Sequence, residues 1–243
     1  MMRNTFSLSL LIGAGMALIA LPAASLELDF AEFGHGDVIT SSQGVTITTT
    51  NIGGGPDLGV AFDSNLSGTR DRDLERGSGF SGGNAAGSDF GNLLIIQENN
   101  TGCATGTCSA PDDEGSRPAG SIALDFSSLG SFDEFSFVLV DVESVTAEDG
   151  RIDFLSGGTE VASRGFTSFP GGGSGVSYGD NSANLIDVLS GISFDEVLIT
   201  LGGSGGIGEI VVGNGGSAPV PEPSAALLFG LGAAVAGTRI RRA

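Results

Sequence analysis

The sequence predicts an all-β protein, an antiparallel, jelly-roll-like β-sandwich held between two apolar end segments. Three observations carry that expectation. Between residues 26 and 218 the apolar residues come in short, often alternating runs, and no helical amphipathic stripe of useful length occurs. The runs are punctuated by Gly, Asp, Asn and Ser, with 42 Gly in 243 residues. The aromatic core must be built almost wholly from Phe, since there are 15 Phe, one Tyr and no Trp.

Taken in order, strands are expected at 26–30 (LELDF), 44–50 (GVTITTT), 59–63 (GVAFD), 92–97 (NLLIIQ), 121–126 (SIALDF) and 135–142 (FSFVLVDV). The second half adds 151–155, 160–166, 175–178, 184–189, 196–201 and 208–212. Ile122, Leu124 and Phe126 alternate with Ser121, Ala123 and Asp125, which turns one face inward and the other to water. Phe135, Phe137 and Leu139 alternate likewise, and Val138 and Val140 make that strand nearly two-sided, as a central strand requires. Ser131-Phe132-Asp133-Glu134 and Ser193-Phe194-Asp195-Glu196 each open an apolar run and read as one strand-entry turn used twice, its acids solvated at the bend. Gly-rich stretches at 53–55, 77–87, 171–175 and 202–208 are expected loops. The region 65–92 is the longest without periodicity, a length that marks a functional or disordered loop.

Both ends differ from this body. Arg3 is the only charge before residue 27, and an apolar run from Phe6 to Leu21 leads to Pro22 and the small residues Ala23, Ala24 and Ser25. That order predicts a signal peptide over 1–25, with Ala23 and Ser25 at the positions signal peptidase needs to be small and cleavage after Ser25. An uncleaved membrane anchor is the alternative. At the other end, over 219–243, Pro221-Glu222-Pro223 precedes an apolar helix at 225–240 and a basic tail at 239–243 with Arg239, Arg241 and Arg242. Sixteen helical residues span about 24 Å against a hydrocarbon core of ~30 Å, a thin transmembrane helix. The three Arg act as a stop-transfer signal that keeps the tail cytoplasmic and the body outside.

The tripeptide, the short Gly- and Ala-rich helix and the terminal Arg cluster, in that order, resemble the PEP-CTERM sorting signal of Gram-negative bacteria. The resemblance covers about the last 25 residues. It implies a temporary membrane anchor and processing by a membrane-embedded exosortase near Pro221 to Pro223, followed by release or attachment at the cell surface. An ordinary tail anchor behind a Pro-rich spacer is the plainer reading.

Charge and residue usage exclude several chemistries. The formal net charge is -19 with no Lys, so a nucleic-acid partner, a P-loop and a Schiff base are all excluded. Setting aside Glu222 and the four Arg of the end segments (Arg3, Arg239, Arg241, Arg242), 28 acids in the body face six Arg. The string Gly203-x-Gly205-x-x-Gly208 runs into a strand and not a helix, so it lacks the N-terminus a dinucleotide needs. Gly79-x-Ser81-x-Gly83 and Gly202-x-Ser204-x-Gly206 match a nucleophile elbow by letters. The single His35, however, precedes both, opposite to that hydrolase order, and reads as a solvated loop residue.

Two groups of residues remain. Cys103 and Cys108 enclose four small residues in an exported chain, where a local disulfide is the default and free thiols the alternative. The carboxylates Asp63, Asp71, Asp73, Glu98, Asp112 and Asp113 fall in the loops that flank two strands. Asp71-x-Asp73-x-Glu75 begins like an EF-hand but has Arg76 and Gly82 where that loop needs Gly and Glu. The wider stretch, FDSNLSGTRDRDL, GNLLIIQE and PDDE, resembles a recurring segment of exported bacterial surface proteins, to which no role attaches here. Two readings stand for these carboxylates, a solvated acidic rim and a Ca²⁺ site.

The expected function is that of an exported, non-catalytic structural or adhesive protein of the cell surface or extracellular matrix, calcium-stabilised if those carboxylates converge. Its expected partners are signal peptidase, exosortase, the membrane before processing, and extracellular polysaccharide. A carbohydrate-binding module is the alternative, against which the lack of Trp and the single Tyr178 count. A glycosidase using two carboxylates is a third possibility.

Overall fold

In the computed structural model, which describes residues 25–77, 79–169 and 176–215, the alternating runs pair as strands of two packed antiparallel sheets. In chain order they are β1 (Ser25–Leu28), β2 (Ser41–Ser42), β3 (Val45–Asn51), β4 (Gly59–Asp63), β5 (Asn92–Ile96), β6 (Cys103–Ala104) and β7 (Thr107–Cys108). Then come β8 (Gly120–Asp125), β9 (Phe132–Val140), β10 (Arg151–Ser156), β11 (Thr159–Gly165), β12 (Ala183–Phe194), β13 (Glu196–Leu201) and β14 (Gly206–Gly213). The first sheet runs β12-β9-β14-β5-β4, with β1 also on β14; the second runs β11-β10-β13-β8-β3-β2. Cys103 and Cys108, opposite each other in the β6–β7 hairpin, form a disulfide.

The period of two decides what each sheet buries. Phe135, Phe137 and Leu139 of β9 face Ile122 and Leu124 of β8, Ile152 and Phe154 of β10, and Val197 and Ile199 of β13, all within one buried cluster. The outer face of the second sheet is polar: on β3, Thr46, Thr48 and Thr50 are exposed while Val45 and Ile47 are buried.

The first sheet is covered on both faces. Val60 and Phe62 of β4, Leu93 and Ile95 of β5, and Val138 and Val140 of β9 alternate with the core-facing residues of the same strands, and they form a second buried cluster. Its other wall is the aperiodic region: Leu74, Phe80 and Ala85 press on the sheet, with Phe90 and the disulfide beside them. The long loop is thus an ordered strap forming a third layer, which is why β5 is buried at every position.

The structure departs from expectation at four places. The strand expected at 175–178 is absent over 176–178; there Asn184 fixes the chain by accepting from the Ser177 N–H and donating to its carbonyl. Gly206 to Gly208 belongs to β14 and not to a loop, because Leu93, Val138 and Phe90 lie 3.2 to 3.4 Å from where a Cβ at Gly208 would stand. His35 is not a solvated loop residue: it is half-buried, its Nδ1 accepts the Asp63 N–H at 3.1 Å, and its ring meets Phe62 edge-on. The repeated Ser-Phe-Asp-Glu segments are also more than solvated bends. Phe132 and Phe194 pair across β9 and β12, Asp133 accepts the Gly215 N–H and Asp195 the Gly157 N–H. Of the expected signal peptide 1–25 only Ser25 is described, and residues 1–24, the loop expected at 171–175, and 216–243 with the transmembrane helix 225–240 and the basic tail lie outside the described residues.

Candidate functional site

The six carboxylates singled out in the sequence separate into three neighbourhoods. Asp63 ends β4 next to His35 and accepts the Asn65 N–H at 3.0 Å. Asn65 is in turn fixed between Arg76 and Asp89, donating to Asp89 at 2.8 Å and accepting from Arg76 at 2.9 Å. These groups border a cavity of ≈ 560 Å³ lined by Phe33, His35, Asp63, Asn65, Asp89 and Phe90.

Glu98 and Asp112 form the second neighbourhood, around Arg70. The Arg70 Nε is ion-paired with Asp112, and a terminal nitrogen of Arg70 lies 3.9 Å from Glu98. A hydrogen bond to the Asp112 carboxyl, followed by partial burial, raises the Glu98 pKa, so Glu98 retains its proton more readily than a free Glu does.

The third neighbourhood joins Asp71, Asp73 and Asp113. Asp71 is buried; one of its oxygens accepts the Asp73 and Leu74 N–H groups and the other the Asp113 N–H at 3.4 Å. The Asp113 carboxylate accepts from the Gly205 N–H. Burial, then the Asp71 charge, holds the Asp113 pKa well above the usual carboxylate range. Asp73 is raised too, by burial and by Asp180 and Asp71.

Sequence reasoning missed Asp141 and Asn181, which complete this end of the sandwich. β9 stops at Val140, and Asp141, buried and left-handed at φ 61°, turns its carboxylate onto the Asn181 N–H at 2.6 Å. Burial pushes its pKa up to about 7, and Asp73, Asp71 and Asp180 add to the rise. An acid directly behind six strand residues, in the string FSFVLVDV, was the available signal.

Among the described residues, no group of three or more His, Cys, Asp or Glu is arranged to hold a metal ion. The neighbourhoods take partners from within the chain: backbone N–H groups and Arg70.

The two ends of the described body are neighbours. Ser25, the first residue of β1, lies opposite Gly213, the last of β14. Beyond Gly215 the chain is identified by comparison: residues 219–242 match the family model of the PEP-CTERM protein-sorting motif. The chain carries a PEP-CTERM sorting signal. Pro221, Glu222, Pro223, Arg239, Arg241 and Arg242 all fall within that match, and they and Ala23 lie outside the described residues. A PEP-CTERM signal marks the chain for export, for anchoring in the membrane through the signal itself and for processing by exosortase on the way to the cell surface. No helix among the described residues is long and apolar enough to cross a membrane. No curated protein matches the chain.

Proposed function

We propose that the β-sandwich is a non-catalytic structural or adhesive body, delivered by exosortase to the cell surface or extracellular matrix. The observation that carries this reading is the PEP-CTERM match at 219–242. The carboxylates support the non-catalytic part, because Asp71, Asp113 and Asp141 each accept backbone N–H groups that fasten loops. Deleting residues 220–243 tests the address by cell fractionation. We expect the truncated body to leave the membrane and surface fractions for the soluble exported pool, and unchanged surface retention overturns the reading.

Calcium stabilisation is tested by thermal melts in EDTA and in CaCl₂. With carboxylate partners supplied by the chain, we expect the same Tm in both. A saturable rise in CaCl₂, growing as RT ln(1 + [L]/Kd), would assign these carboxylates a cation.

One observation favours the second reading, a carbohydrate-binding module. The ≈ 560 Å³ cavity sets Phe33 and Phe90 among the hydrogen-bonding groups of His35, Asn65 and Asp63. Tyr178 does not serve such a site, since its hydroxyl donates to the Phe166 carbonyl at 3.0 Å and burial raises its pKa to about 12. Binding on a glycan array that disappears in Phe90→Ala would favour this reading over a purely structural body.

A further inference from the structure

We infer that segment 65–91 is a pH-responsive strap over an apolar face of the sandwich, latched by the Asn181 turn and loosened when Asp141 ionises. Among its described residues the strap forms only an isolated bridge, Gly82 to Ser182, yet its Leu74, Phe80 and Ala85 close the second buried cluster over Phe62, Leu93 and Val138. Between Asp73 and Ser81 its hydrogen bonds to the rest of the body converge on Asn181, beside a Ser81 hydroxyl bond to the Asp180 carbonyl at 2.9 Å and an Arg76 N–H bond to the Ser64 carbonyl at 2.8 Å. Asn181 donates from Nδ2 to the carbonyls of Asp73 at 2.7 Å and Glu75 at 3.0 Å, and it accepts the Ser81 N–H at both its side-chain and backbone oxygens. Asn181 is itself left-handed at φ 51°, and its own N–H is held by Asp141. The latch therefore depends on a buried carboxyl at the end of β9.

The charges around Asp141 are all of one sign. The strap brings Asp71 and Asp73, the turn before β12 brings Asp180, and the segment after the disulfide brings Asp113. The β13–β14 hairpin contributes only the Gly205 N–H, already taken by Asp113. Among the described residues the nearby cations are engaged elsewhere: Arg70 with Asp112 and Glu98, Arg76 with Asp89, Arg117 with Glu143 and Glu148. Arg72 lies beside Glu75. Below neutrality the Asp141 carboxyl holds its proton, because burial and these neighbours disfavour the charge. Above neutrality a buried anion stands among carboxylates, and the cheapest relief is to admit water by lifting the strap, whose Asp71 and Asp73 move away with it.

Arg70, Arg72 and Arg76 lie on the strap, so trypsin reports its opening. The full chain in detergent and its Asp141→Asn variant are digested at pH ~6 and ~8.5, and the early cuts are located by mass spectrometry. Asn tolerates the left-handed backbone and keeps an oxygen for the Asn181 N–H, so the variant removes the charge and leaves the latch. At the higher pH the original chain should be cut within the strap roughly tenfold faster than Asp141→Asn, and at the lower pH the two should match. Equal rates for the two chains at the higher pH overturn the inference. A second variant, Asn181→Ala, removes the latch directly and, with each rate taken relative to trypsin's rate on a small peptide at the same pH, should be cut quickly at both pH values; if its relative strap cutting still rises with pH as in the original chain, the inference also fails.

Discussion

Phe194→Ala should lower the stability of the sandwich by ~3–5 kcal/mol, the range for a buried Phe truncated in a core that cannot collapse onto the space. Phe194 ends β12 with no exposed surface, and four other rings surround it. Its centroid lies 5.1 Å from Phe154, 6.2 Å from Phe135, 6.3 Å from Phe126 and 6.5 Å from Phe132. Phe154 belongs to the second sheet and Phe135 to the first, so the ring joins the two layers where they meet. Rigid backbone on both sides prevents the other rings from refilling the site, and the edge-to-face contacts are lost along with the buried area. For a body of this size the change corresponds to roughly 10 °C in Tm. Urea unfolding should show a lower midpoint at unchanged slope. Leu129→Ala, at an exposed side chain, should stay within ~0.5 kcal/mol of the original chain. A loss for Phe194→Ala no larger than that of Leu129→Ala would remove the ring cluster from the account of how the sheets are joined.

Strands that could be read in the sequence are those whose burial is set by local alternation. Gly59–Asp63 and Glu196–Leu201 have the predicted ends, and Ile122 and Leu124 face inward as their spacing requires. The run NLLIIQ was legible as a strand, and the structure adds that Asn92–Ile96 is buried at every position. What buries its outer face was not legible, because the strap carries no periodicity and is held by contacts remote in sequence: Asn181 reaches Asp73 across 108 positions. The same remoteness hid Asp141, which counted as one more strand residue until the chain was seen to turn left-handed there. The sorting signal lies at the other extreme. Its tripeptide, apolar run and Arg cluster are contiguous, so the composition of 25 residues displays the whole device.

The stability of the body should fall as pH rises from ~4 to ~7, the reverse of the usual carboxylate trend, and Asp141→Asn should abolish most of that fall. Asp141 has an ordinary pKa of 3.8 when unfolded and about 7 when folded. Below 3.8 both states carry the proton and the group contributes no pH dependence. Between those values the folded state holds a proton that the unfolded state has released, so each rise in pH favours unfolding; above about 7 both are ionised and the loss is complete. At ~1.4 kcal/mol per pH unit, the interval from 3.8 to about 7 amounts to at most ~4 kcal/mol. Asp113, raised by burial and by Asp71, adds to the fall with the same sign. Glu75, lowered by its hydrogen bonds to Thr69, and Asp125, lowered by those to Ser127, act in the opposite sense: their stabilisation is present above the unfolded pKa and is lost as pH drops through the folded one. The wild-type curve should therefore rise from strong acid and then decline toward neutrality, and the difference between it and the Asp141→Asn curve isolates the buried acid. That difference should be near zero at pH ~4 and reach a few kcal/mol in favour of the variant at pH ~8. A wild-type advantage at pH ~8 would mean that the ionised carboxylate stabilises the Asn181 turn by more than its burial costs.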